Sequence, residues 1–139
     1  MGLRARDVAT DIDLAWAAAV VNKDVAEVER IADDMIGAAE ERLGELPSEL
    51  TYVHALAEAG MMWVEFPFAD GKVMLVYYSD GTYSAKYVPD TWWKGLLFNS
   101  DDPRDRIVAV RDKRTAREAL SELMAALQLV GLARPRPGA

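Results

Sequence analysis

Two hydrophobic periods divide the chain. Across residues 4–21, Val8, Ile12, Ala15, Trp16 and Ala19 recur at helical spacing, predicting an amphipathic helix with these side chains on its buried stripe. Asn22-Lys23-Asp24 interrupts it. Asp24 followed by Glu27 is a capping-box-like start for a second helix, whose stripe is Val25, Val28, Ala32, Met35, Ala39 and Leu43 and whose end falls near Gly44 and Pro47. A short connection between two such helices predicts an antiparallel hairpin. "PSELTYVHALAEAG", residues 47–60, is read as a short third helix capped by Ser48 and stopped at Gly60, although Thr51, Tyr52 and Val53 also suit a strand.

From residue 61 the period falls to two. "MMWVEFPF", "KVMLVYY" and "TYSAKYV" are separated by Asp70-Gly71 and Asp80-Gly81, predicting a three-stranded meander. "DTWWKGLLF" follows as a short helical turn, "NSDDPRD" as a loop and "RIVAVRD" as a fourth strand. Thr115 with Glu118 caps a last helix, with Ala116, Leu120, Leu123, Leu127 and Val130 on one face; Gly131 ends it. The fold class is therefore α+β: an N-terminal helical hairpin with a short third helix, an antiparallel meander of three to four strands, and a C-terminal helix packed on the sheet. One domain is expected over 1–131, with a disordered tail over 132–139.

If both Asp-Gly pairs are the central residues of two-residue turns, the register follows. Phe68 then opposes Val73, and Tyr78 opposes Tyr83. One face carries Met62, Val64, Phe66, Phe68, Val73, Leu75, Tyr77 and Val88 and is the core face. The other carries Trp63, Glu65, Pro67, Met74, Val76, Tyr78, Tyr83, Ala85 and Tyr87. Pro67 suits an edge, since it has no amide to donate. Tyrosine and tryptophan combine large stiff area with a polar tip and concentrate at interfaces.

Composition narrows the chemistry. The 139 residues are 51% hydrophobic and 28% charged, as in a globular chain, and contain no cysteine, which removes disulfides and thiolate chemistry. Abundant alanine and arginine suit a GC-rich genome, cellular or phage. The start lacks the apolar core of a secretory signal, and "LAWAAAVV" is too short to span a bilayer, so a cytoplasmic protein with no membrane partner is expected. Net charge is −7 and uneven: residues 1–70 hold five basic and fifteen acidic side chains, residues 71–139 eleven and eight. The acidic pairs Asp33-Asp34 and Glu40-Glu41 read as solvated helix faces.

His54 is the single histidine, which excludes a two-histidine metal site, and a Ser-His-Asp unit would need its other members close to His54 in space. No calcium-loop or phosphate-loop spacing occurs, so no catalytic residue, metal site or cofactor is assigned. The expectation is a non-enzymatic regulatory module that binds another protein, or its own copy, through Trp63, Tyr78, Tyr83, Tyr87, Trp92 and Trp93. The alternative is a nucleic-acid or small-ligand binder using the aromatic face and the basic segment 104–117, with Arg111, Lys113 and Arg114 as anionic-ligand contacts. Interspersed Asp101, Asp102, Asp105 and Asp112 and the acidic net charge argue against nucleic acid.

Overall fold

The computed structural model describes residues 2–131; the expected tail lies outside the described residues. Helices α1 (Ala5–Val8), α2 (Asp11–Val21) and α3 (Val25–Leu43) precede strands β1 (Tyr52–Leu56), β2 (Met61–Phe68), β3 (Gly71–Tyr78) and β4 (Tyr83–Pro89). Helix α4 (Trp92–Phe98), strand β5 (Val108–Lys113) and helix α5 (Ala116–Leu129) complete the order. All five strands are antiparallel neighbours in chain order. The fold is α+β, with one more strand than the meander expected from the sequence.

Local capping explains most boundaries. The helix expected over 4–21 is two, because the Thr10 hydroxyl accepts from the Asp13 amide while the Asp13 carboxylate accepts from the Thr10 amide. Asp24 and Thr115 accept from the amides of Glu27 and Glu118, as their spacing implies. The acidic run of α3 is partly structural. Asp33 accepts from the Ala5 amide at 2.7 Å, and Glu40 accepts from the amides of Leu3 and Leu46, so these carboxylates tie down the N-terminus and the loop after α3. The solvated reading fails for those two positions because unpaired backbone amides lie within reach.

The third helix expected over 47–60 is a strand. Residues 48–50 make one 3-10 turn, and Tyr52–Leu56 then pairs with β2, Val53 opposite Val64. Alternation of Tyr52, His54 and Leu56 outward with Val53 inward wins over the helical pattern, because an open β2 edge was there to accept it. Pro67 lies beyond the last β1 partner, Tyr52 opposite Glu65, so it occupies a locally open edge within an interior strand.

Helix α2 buries Leu14, Ala17, Ala18 and Val21. The stripe expected from spacing is not the buried one: Ile12 is 80% exposed, and Trp16 lies over the sheet edge with its indole N–H directed at the Ala55 carbonyl, 3.4 Å away. This helix is apolar on nearly every side, so periodicity cannot select a face. On α3 and α5 the centres of the expected stripes are buried, widened by Ile31, Ile36, Ala38, Ala119 and Met124, whereas Val25 in the first turn of α3 and Val130 just past α5 are exposed because they lie at the ends of their helices. These helices and the sheet residues Val53, Met62, Val64, Phe66, Val73, Leu75, Tyr77, Ala85 and Tyr87 form one core.

Candidate docking surface

The helices cover one face of the sheet. Cross-strand pairs define the other: His54, Trp63, Val76 and Ser84 form one lateral row, and Tyr52, Glu65, Met74, Lys86 and Ala109 the next. Leu56, Met61 and Tyr78 flank the first row, and Pro67, Lys72 and Val88 the second. Most of these side chains are exposed or half-buried. Val76, 2% exposed, is buried outside the helix-packed core. It is one of the shortest side chains in the centre of this face, between longer neighbours on three strands.

Ring contacts organise the surface. Tyr52 stacks on His54 with centroids 5.7 Å apart, and His54 tilts against Trp63 at 5.4 Å. The Trp63 indole N–H donates to Glu65 at 3.3 Å, and Lys72 pairs with the same carboxylate oxygen at 3.3 Å. Lys86 and Arg111 lie on this face and have no salt-bridge partner among the described residues.

Two tyrosines assigned to this face are elsewhere. Tyr83 and Tyr87 point into the helix side, Tyr87 only 1% exposed, and burial pushes the phenol of each above its ordinary pKa. The cause is one extra loop residue. Tyr78 donates to the Thr82 carbonyl and Gly81 to that of Tyr78, so the loop is Ser79-Asp80-Gly81, with Gly81 at φ 89°. This is a three-residue turn with a glycine bulge rather than a two-residue turn. Tyr83 therefore pairs with Tyr77, with ring centroids 5.1 Å apart, and every β4 side chain changes face. Tyr83, Ala85 and Tyr87 enter the core; Ser84, Lys86 and Val88 leave it. The signal was Lys86, whose ammonium cannot be buried unpaired among apolar neighbours.

The first hairpin shifts by two residues, which preserves its faces: its turn is Ala69-Asp70, and Phe68 opposes Gly71. Ala69 holds φ 50°, whereas Gly71 begins the strand.

The basic segment 104–117 does not form one patch. Arg104 is held by Asp102 and Arg117 by Glu41. In β5, Asp112 has φ 59° and the pairing slips between Tyr83 and Ala85. That irregularity turns Lys113 toward α5, where Glu122 binds it at 2.6 Å and holds its pKa above the usual value. Arg111 remains on the open face, and Arg114 lies beside α3 and the start of α5, lining a surface cleft with Asp34 and Tyr83.

Helix α4 does not roof the open face in the way its sequence position invites. Lys94 joins Asp70, Tyr87, Arg104, Asp105 and Gly131 around a cleft of about 450 Å³ at the β2–β3 turn end of the sheet. Trp92, Trp93, Leu96, Leu97 and Phe98 are 38–71% exposed. Thr91 does not cap the helix; its hydroxyl donates to Asp105, as does that of Ser100 at 2.6 Å, so one carboxylate joins both ends of the excursion. The two hydroxyls, Ser100 first, hold the Asp105 carboxyl below the usual range.

Sequence reasoning missed Tyr52, His54 and Lys86 as members of the open face, the first two because β1 was read as helix. Among the described residues, no group of three or more histidine, cysteine, aspartate or glutamate side chains is arranged to hold a metal, and no helix is long and apolar enough to cross a membrane. Comparison with known proteins finds no matching family, no matching curated sequence and no matching solved structure.

Proposed function

We propose that this chain is a non-catalytic, cytoplasmic regulatory module that docks another protein on the open face of its sheet. The observation that supports this reading is the one-sided packing: the helices pack on one face, while Tyr52, His54, Trp63, Met74 and Tyr78 lie together on the other. An aromatic surface of this kind gains most when a partner excludes water from it. Lys72, Lys86 and Arg111 outnumber Glu65 there, so an apolar partner surface bearing carboxylates is complementary to it.

The test is affinity capture from the native host with wild type, a Trp63→Ala/Tyr78→Ala variant, and Leu96→Glu as a control away from the sheet face. The expected result is a protein retained by wild type and Leu96→Glu and lost from the double variant, with unchanged circular dichroism. Equal capture by the double variant refutes the reading.

A second reading is single-stranded nucleic acid. It is favoured by one observation: the Tyr52–His54–Trp63 ring row shares its face with Lys86 and Arg111, cations without salt-bridge partners among the described residues. Retention of a labelled oligonucleotide that falls steeply with salt and weakens in Arg111→Gln would support it. No retention at low salt removes it.

A further inference from the structure

We propose that the outer edge of β5 takes up an extended acidic peptide of a partner protein as an added strand. This site is the rim of the sheet, separate from its open face.

Backbone direction is the first observation. The Tyr78 amide donates to the Thr82 carbonyl and the Asp90 amide to the Asp70 carbonyl. On β4 the main-chain groups of Ser84, Lys86 and Val88 therefore face β3, and those of Ala85 and Tyr87 face β5. Ala85 pairs with Val110 and Tyr87 with Val108, which turns the amide and carbonyl of Ala109 away from β4. Arg111 shares that direction up to the irregularity at Asp112. No strand pairs with β5 on its outer side, so these groups form the hydrogen-bonding template that strand addition uses. The opposite edge is closed: the same parity turns Ala55 of β1 outward, and its carbonyl receives the Trp16 indole N–H from α2.

Packing points to the same edge. Of the five strands, β5 is the one with no buried residue. Val108 and Val110 pack against the helix-side core yet stay half-buried, and Ile107 is 49% exposed. Alternate side chains of an added strand extend the layer that these residues begin.

Charge selects the occupant. Arg106 and Arg111 bracket the outward-facing stretch, with Arg114 just past it, and none has a salt-bridge partner among the described residues. Glu122 takes Lys113, Thr91 and Ser100 take Asp105, and Asp112 is the one carboxylate against these three cations. A second copy would bring the same excess of cations face to face. The chain's own residues 132–139 contain Arg134 and Arg136, which repeat that charge, and Pro135 and Pro137, which have no amide to donate. A foreign segment bearing carboxylates is complementary in both respects.

Fluorescence anisotropy of the full chain with a labelled, capped peptide alternating valine and glutamate, about seven residues long, tests this. Saturable binding with a Kd below about 1 mM is expected, weakening as salt rises, and absent when lysine replaces glutamate. Ala109→Pro removes only an outward amide and sets its ring in the path of the new strand. Edge strands tolerate proline at such positions, so circular dichroism should not change. This variant and Arg106→Gln/Arg111→Gln are each expected to weaken binding at least about tenfold, whereas Trp63→Ala/Tyr78→Ala leaves it unchanged. N-methylation of the peptide's amides probes the same hydrogen bonds with the protein untouched and is expected to abolish binding. No saturation by about 1 mM, or binding unmoved by both Ala109→Pro and N-methylation, overturns the proposal. Loss of binding in Trp63→Ala/Tyr78→Ala also overturns it and assigns the peptide to the sheet face. A chain mass that rises with concentration and falls back in Ala109→Pro would give the edge to a second copy instead.

Discussion

Gly71 and Ala69 exchange the roles expected of a hairpin turn, and substitution at each separates steric from conformational demands. An alanine Cβ at Gly71 would lie 2.3 Å from the Val88 carbonyl oxygen, 2.7 Å from the Pro89 Cα and 3.0 Å from the Tyr87 hydroxyl. The first two atoms are backbone of β4, and Gly71 pairs directly with Pro89. Restoring ordinary contact needs a local separation of β3 and β4 on the order of 1 Å, which opens the end of that ladder; overpacking of this kind is expected to cost about 2–3 kcal/mol. At Gly81, by contrast, φ is 89° and nothing lies within 4 Å, so Gly81→Ala carries conformational strain alone, about 1 kcal/mol. Ala69 holds φ 50°, and Ala69→Gly exchanges relief of ~1–2 kcal/mol of left-handed strain for ~0.4–1 kcal/mol of extra unfolded-state entropy, a net stabilisation of roughly 0.5–1 kcal/mol. Urea unfolding followed by far-UV circular dichroism, at a concentration where the mass is constant, gives all three values if the slope is unchanged. Gly71→Ala within about 0.5 kcal/mol of wild type, or a destabilising Ala69→Gly, would refute the assignment of close approach to one position and strain to the other.

Leu14→Ala should cost about 2–5 kcal/mol, because Leu14 is fully buried, whereas Ile12→Ala should stay within about 0.5 kcal/mol; the same urea assay reports both. The reverse order would restore the helix stripe that spacing suggested. Asp105 is the acid-sensitive joint of the α4 excursion. Its folded pKa is held below the unfolded value of about 3.9, so its contribution is complete above that value and is lost as pH falls through the folded pKa. Near-UV circular dichroism of the α4 tryptophans should therefore change in that acid window in wild type and lack the change in Asp105→Asn; an identical transition in both rejects the joint.

Much of the architecture was legible locally. Asp24-Glu27 and Thr115-Glu118 marked two helix starts because a side-chain oxygen three residues ahead of a free amide needs no tertiary help. The strands were legible from period two, and the faces of β2 and β3 survived a register error of two residues. A one-residue error in the next loop moved Tyr83 and Tyr87 from the candidate surface to the core. Asp-Gly serves both a two-residue turn and a glycine bulge, so the dipeptide alone leaves the parity of β4 open. The alternation of Lys86 with Ala85 and Tyr87 contained the missing information.

By itself, then, the sequence determined most element types, most starts and stops, and the meander. These depend on contacts within a few residues or on a simple repeat. Tertiary structure decided that 52–56 is a strand, that α2 buries Leu14 instead of Ile12, that a slip in β5 takes Lys113 away from Arg111, and that α4 remains exposed. Each outcome depends on what stands opposite: an open sheet edge, a core that needs one face of an all-apolar helix, a carboxylate on α5, or the absence of a covering layer. Local chemistry admits both alternatives at such positions, and burial over the whole fold selects one.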